Sequence, residues 1–203
     1  MEAILTWPVG VYLETTILRK LPLDVATAEL VRLIEICKIL RIPIVVPMVS
    51  LDEWVASRKL DFIEKAGSYE AATERLTTLK EKYLIHIELP SFDSLICPKD
   101  KKSISDEIEA ILKSRLRDIG IIAAITPNIK LELLLKMSID KIRPFEEKGE
   151  KGFRDSVILF TILDCAKKLP AGFHLLVTED QVFNHPDVSQ TASDHNIKLV
   201  VVR

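Results

Sequence analysis

Four acidic residues, Glu14, Glu53, Asp155 and Asp180, stand where the adjoining segments read as buried, and their types point to cation-assisted chemistry. Glu14 directly follows Val9-Gly-Val-Tyr-Leu13, an apolar, β-branched run that reads as a strand. Glu53 lies three residues after Ser50, the spacing of a capping box that opens a helix. Asp155 begins a strongly apolar helical segment, Val157-Ile158-Leu159-Phe160, and Asp180 comes just past the strand pattern Phe173-His-Leu-Leu-Val-Thr178. Carboxylates gathered in one place repel, so one pKa must rise unless a cation neutralises the group. Hard oxygen donors suit Mg2+ or Mn2+. Such ions activate water and offset charge on a phosphodiester. Each acid also has a plain structural reading. Glu53 and Asp155 would favour positive helix ends, an effect of about 0.3–1 kcal/mol. Glu14 would be a loop acid and Asp180 a turn or cap. Spacing alone leaves both readings open.

The elements that must position these residues alternate between two periodicities. A strand before Glu14 leads through a loop at Lys20-Leu-Pro22 to helical spacing over residues 24–40, with Asp24 as cap and Leu30, Leu33, Ile34, Cys37 and Leu40 on one face. Residues 42–46 form a second strand, closed by Pro47, so the βαβ order predicts a parallel pair. The helix opened by Ser50 extends to about residue 82 with a break expected near Gly67. A strand over 84–89, a polar loop over 90–103 and helices over 105–117, 128–138 and 155–168 follow, with a charged loop at 143–153. Residues 173–178 and 197–202 are strands joined by a short helical connection over 180–195. This alternation predicts a three-layer α/β/α sandwich on a mainly parallel sheet, one domain over 1–203 with a helical elaboration at 91–150. In such sheets the strand carboxyl ends and following helix starts share one edge, where ligands bind.

Composition narrows the chemistry. The net charge of -2 means nucleic-acid contact must come from a local basic patch. Lys148, Lys151 and Arg154 flank Asp155 and are placed to grip phosphates, or to form a solvated loop. Arg19 and Lys20 beside Glu14 carry the same two readings, and the Lys-Asp-Lys-Lys run at 99–102 reads as solvated. Trp54 and Phe153 neighbour the acids and suit either base stacking or core packing, the latter favoured. His86, His174, His185 and His195 lack zinc-ligand spacing. Cys37, Cys97 and Cys165 form no CxxC pair, which favours a reducing compartment. No apolar run reaches the roughly 18 residues of a membrane span, and Glu2, Pro8 and Gly10 break any secretory pattern, so a cytoplasmic location is expected. P-loop, GxGxxG and nucleophile-elbow patterns are missing.

The ordered motifs resemble those of PIN domains. Val11-Tyr-Leu-Glu14-Thr15-Thr16 is similar to the opening strand motif, and Pro47-Met-Val-Ser-Leu-Asp-Glu53 to the second. Lys148-Gly-Glu-Lys151-Gly152-Phe153-Arg154-Asp155 is close to the Lys-Gly-Phe-Arg-Asp signature of one PIN-like subgroup, and Leu176-Val-Thr178-Glu179-Asp180 resembles the family's Thr-Asn-Asp motif. The resemblance implies a Mg2+- or Mn2+-dependent endoribonuclease acting on RNA, or on DNA. Glu14, Glu53, Asp155 and Asp180 would be the metal-binding, catalytic tetrad, with Thr16 and Thr178 supporting it by hydrogen bonds. It also admits a small inhibitory antitoxin-like partner and a homodimer. Glu14 stands where the family usually has Asp, which moves the carboxylate by about 1.5 Å, a shift that catalytic geometry punishes. Thr16 and Glu179 each replace a common Asn. Two rival expectations follow: an inactive PIN-like module that binds RNA or protein, and a metal-dependent phosphatase. The latter lacks an Asp-x-Asp-x-Thr motif.

Overall fold

A computed structural model describes residues 7–22, 27–83, 101–146 and 151–202. Its elements run β1 (Gly10–Leu13), α1 (Thr15–Lys20), α2 (Ala28–Leu40), β2 (Ile44–Pro47), α3 (Met48–Tyr83), α4 (Lys101–Asp118), β3 (Ile122–Ala124), α5 (Leu131–Ile139), α6 (Phe153–Ala166), β4 (Phe173–Val177), a 3-10 turn (Gln181–Asn184), α7 (Pro186–Asp194) and β5 (Lys198–Val202). The five strands form one sheet in the order β3-β2-β1-β4-β5. Every pairing is parallel, with Val11 opposite Ile44 and Leu13 opposite Val177. The chain therefore grows outward from β1 on one side, then returns to β1's other side with β4. That reversal is a switch point, and at such a point the two crossover connections diverge and leave a crevice at the strands' carboxyl ends.

Alternation along the strands builds the layers. Tyr12, Val45 and Leu176 join a buried cluster with Leu134 and Met137 of α5, Ile158, Leu159 and Ile162 of α6, and Val188 of α7. Leu13 and Val177, one residue on, border an apolar cavity with Ile17 of α1 and Leu30 and Leu33 of α2. One strand thus feeds opposite faces, giving the α/β/α sandwich that the periodicities predict. In α6 every residue from 156 to 163 is buried, as a helix apolar on all sides must be. Burial of each of its large side chains contributes roughly 1.5–3 kcal/mol. Between β1 and β4, the hydroxyl of Tyr12 lies 3.4 Å from Nδ1 of buried His174. Burial lowers the His174 pKa, so the ring is held neutral. Cys37 and Cys165 are free thiols whose pKa values burial raises.

Several elements differ from expectation, each for a physical reason. The segment read as a loop after Glu14 is the one-and-a-half-turn helix α1, too short to show a period. Thr27 caps α2, its hydroxyl accepting from Leu30 N at 3.3 Å, whereas Asp24 lies outside the described residues. The capping box does not form. α3 opens at Met48, which puts Ser50 inside the helix, buried, with no hydrogen-bond partner among the described residues. α3 also continues unbroken through Gly67, because an exposed helical glycine costs only about 1 kcal/mol. The edge strand β3 was not expected, since its three residues expose Ile122 and Ala123 and show no alternation. α4 begins at Lys101, inside the segment read as a loop. The strand expected over 84–89 lies outside the described residues, as do Cys97 and His86.

The chain divides into two compact units, one of residues 1–54 and 114–203, the other of residues 55–113. The second unit carries an ion triad in which Glu109 accepts from Lys59 at 2.8 Å and from Lys113 at 2.6 Å. Hydrogen bonds from Lys113 and then Lys59 hold the Glu109 carboxyl well below the usual range. Among the described residues no helix is long and apolar enough to cross a membrane.

Candidate active site

Glu14 is the residue at which β1 ends and α1 begins. Its backbone N–H still donates to Val177 O at 3.2 Å, extending the sheet ladder by one step, while its side chain caps α1. The carboxylate is 3% exposed. Oε2 accepts from Thr16 N at 2.8 Å, from Thr16 Oγ1 at 2.7 Å and from Thr178 Oγ1 at 3.0 Å. Both hydroxyls are in turn polarised by the backbone, since Glu179 N donates to Thr16 Oγ1 at 2.9 Å and Asp180 N to Thr178 Oγ1 at 3.0 Å. Two short relays therefore run from the loop after β4 into one oxygen of Glu14. Charge-assisted bonds of this kind are roughly twice as strong as neutral ones.

Glu53 reaches the same edge from the second turn of α3. Its Oε2 accepts from buried Thr15 Oγ1 at 2.8 Å, and its Oε1 pairs with the guanidinium of Arg154. Thr15 escaped the sequence reading as a supporting residue. The signal was its place between Glu14 and Thr16, but only a helix at α1 turns its hydroxyl toward α3. Arg154, expected to grip phosphate, is itself 69% exposed beyond this pair. Trp54 is wholly buried and has no free face on which to stack a base, whereas Phe153 is half exposed.

Asp155 sits in the first turn of α6, behind the N-cap residue Gly152. Gly152 adopts φ 108°, and a Cβ there would meet Pro144 O at 2.3 Å and Phe145 Cα at 2.6 Å, so only glycine fits. Its carbonyl accepts from Ser156 N at 2.9 Å and Ser156 Oγ at 2.8 Å, fixing the angle at which α6 starts. Asp180 caps the 3-10 turn, with Oδ1 accepting from Val182 N at 2.9 Å. Its bland reading as a cap is thus met without excluding a second use. Lys20 and Glu179 form an exposed ion pair that ties the end of α1 to the loop after β4. Lys151 is exposed, and Lys148 lies outside the described residues.

The electrostatics report the convergence. The Asp155 pKa is raised to about 6, first by desolvation and then by the charges of Asp180, Glu14 and Glu53, against a lowering by Arg154. Among the described residues, however, no three His, Cys, Asp or Glu side chains stand in an arrangement that would hold an ion. The hydrogen bonds reconcile these facts. Oε2 of Glu14 is turned onto two threonines, Glu53 onto Thr15 and Arg154, and Oδ1 of Asp180 onto Val182. The donor set itself, all oxygen and partly desolvated, fits a hard divalent cation.

An all-parallel sheet with a switch point, and acids from three separate segments acting on the Asp155 carboxyl at its edge, define an α/β domain with an anionic cleft. A PIN-domain family model matches residues 11–183, and the chain belongs to the PIN-domain family. Members of this family are generally nucleases that bind nucleic acid and use divalent metals. Neither the curated proteins nor the solved structures include a match.

Proposed function

We propose that this chain is a divalent-metal-dependent endoribonuclease in which Glu14, Glu53, Asp155 and Asp180 hold Mg2+ or Mn2+. The observation that carries the reading is the Asp155 carboxyl, pushed up to about 6 with Asp180, Glu14 and Glu53 all contributing. A carboxylate cluster of this kind in an enzyme of this family is a cation site before it is anything else. The bound cation would supply Lewis-acid stabilisation of charge on the phosphodiester. The chain's own residues do the rest. Thr16 and Thr178 fix Glu14, Thr15 fixes Glu53, and Gly152 sets the start of α6 from which Asp155 projects. Arg154 and Lys151, with Lys148, grip the phosphates flanking the scissile bond, Arg154 through its planar fork. The match of Lys151-Gly152-Phe153-Arg154-Asp155 to the Lys-Gly-Phe-Arg-Asp subgroup supports the same assignment.

The test is cleavage of a fluorescent single-stranded RNA with Mg2+ or Mn2+, wild type against Asp155→Asn. Loss of one anionic ligand should remove several kcal/mol of charge stabilisation, on the order of 10³-fold in rate. Asp155→Asn should also raise the melting temperature of the metal-free protein, since it deletes a repelling charge. An equally active Asp155→Asn protein sinks the proposal. A second reading, an inactive binding module, is favoured by Oε2 of Glu14 being taken up by three donors and Glu53 by Arg154. RNA binding without metal-dependent cleavage would select it.

A further inference from the structure

We infer that the cavity between α1 and α2 is a binding site for a small apolar molecule with a cationic head, an alkyl ammonium in its simplest form. The cavity measures about 410 Å³. That lies within the roughly 300–1,000 Å³ of small-ligand sites and far beyond the gaps that close packing leaves. Ile17 of α1 and Leu30 and Leu33 of α2 line it, together with Leu13 and Val177 from the sheet. Ile17, Leu33 and Val177 are only half buried, so the aliphatic lining is partly open to solvent. A lining of this kind takes an aliphatic or aromatic body, and a few polar groups at its border fix the head.

The charge of that head follows from the polar side chains on the cavity. Thr27 uses its hydroxyl to cap α2, accepting from Leu30 N at 3.3 Å. Lys20 is paired with Glu179. Glu29, in the first turn of α2, is exposed and makes no ion pair among the described residues. One unmatched negative charge thus stands beside the apolar lining, and the complementary head is positive. An anionic head would have to displace Glu179 from Lys20 and would meet Glu29 as a like charge. An occupant also reaches the helix behind the cleft. α1 presents Ile17 and Lys20 to the cavity, while its Thr15 and Thr16 donate to Glu53 and Glu14. Binding against Ile17 therefore suppresses local opening of α1.

NMR titration of the full, metal-free chain with hexylamine, hexan-1-ol and hexanoate reads the site directly. Hexylamine should bind with a Kd on the order of 0.1–1 mM. Hexan-1-ol should bind up to about fivefold more weakly, and hexanoate more weakly still. Glu29→Gln should bring hexylamine down to the level of hexan-1-ol. Leu33→Trp, which places an indole in the cavity, should abolish binding of both. If circular dichroism shows Leu33→Trp unfolded, Glu29→Gln and the three-ligand comparison remain decisive, since Glu29 is exposed. Saturating hexylamine should slow amide exchange across residues 17–20. The carboxylate cleft is the other place that would attract an ammonium, so Asp155→Asn should bind hexylamine as the wild type does. No binding of hexylamine at about 10 mM overturns the inference. So does binding that Asp155→Asn abolishes, that Glu29→Gln leaves unchanged, that hexanoate equals, or that leaves exchange in α1 untouched.

Discussion

Glu14 and Glu53 follow neighbouring parallel strands and face the same cleft, yet neutral donors hold the first and a cation holds the second. Around Glu14 the partners are two hydroxyls and a backbone N–H, none of which brings charge, and all of which are anchored in the sheet edge between β1 and β4. Around Glu53 one oxygen rests on Thr15 and the other on an arginine whose side chain is mostly in water. Hydroxyl relays keep a carboxylate in place while leaving its full charge available. An exposed guanidinium neutralises the charge, but the pair contributes only about 0–1 kcal/mol and separates easily. The Glu14 half is built to stay, and the Glu53 half to exchange its partner.

The sharpest way to break this contrast is at Thr178. Thr178→Val keeps shape but removes a donor to Glu14 and the acceptor of the half-buried Asp180 N–H. Loss of such a supporting hydroxyl should cost 10–100-fold, roughly, in Mn2+ affinity. It should also cost about 1–3 kcal/mol in stability. Calorimetric Mn2+ titration and urea unfolding read the two effects. Thr16→Val should lose less stability, because Thr16 is only half buried. If Thr178→Val binds Mn2+ as the wild type does, Glu14 is not held by its relay.

Acid titration probes both halves at once. The Asp155 carboxyl is pushed up to about 6 in the folded chain, above its ordinary value of 3.8. Below the unfolded value both states carry the proton and the group is neutral toward stability. As pH rises from about 4 to about 6 the unfolded chain ionises first, so stability falls across that window. The loss is bounded by about 3 kcal/mol and reduced by solvent screening, since the carboxyl is only partly buried. Metal-free wild type minus Asp155→Asn isolates the effect from other titrating groups, His174 included. Saturating Mn2+ should abolish the slope, and a flat difference curve without metal would show that Asp155 does not feel its neighbours.

What was legible in the chain follows from how local each cause is. That Glu14, Glu53 and Asp180 act on Asp155 was readable because each adjoins a strand or helix whose own pattern is strong, and parallel topology sends those ends to one edge. Thr15 was not, because its contact with Glu53 depends on α1, a helix too short to leave a periodic trace. The Lys20–Glu179 pair exists only because β4 lies beside β1, a neighbour relation that no spacing encodes. Ser50 misled for the opposite reason. Its type and distance from Glu53 match a cap, but parallel pairing of β2 with β3 ends at Pro47 and the helix starts at once. Gly152 shows the limit most plainly. Glycine before a helix is common, and only the approach of Pro144 and Phe145 makes it obligatory here.

The smallest expected effect tests the exchangeable half. Arg154→Gln keeps a polar, hydrogen-bonding side chain, shorter than arginine, and removes the cation that Glu53 holds. If Arg154 competes with a divalent ion for that carboxylate, its removal should tighten Mn2+ binding to the free protein, by up to about fivefold for an exposed pair. On the proposed reading, in which the guanidinium released by the metal meets phosphate, the same substitution should weaken binding of single-stranded RNA. By linkage, metal and RNA would each strengthen the other in the wild type, and that mutual gain should shrink in Arg154→Gln. Titrating Mn2+ with and without RNA, in both proteins, closes the cycle. Weaker Mn2+ binding by Arg154→Gln would mean that the arginine orients Glu53 for the ion, and the two halves of the cleft would then work in the same way.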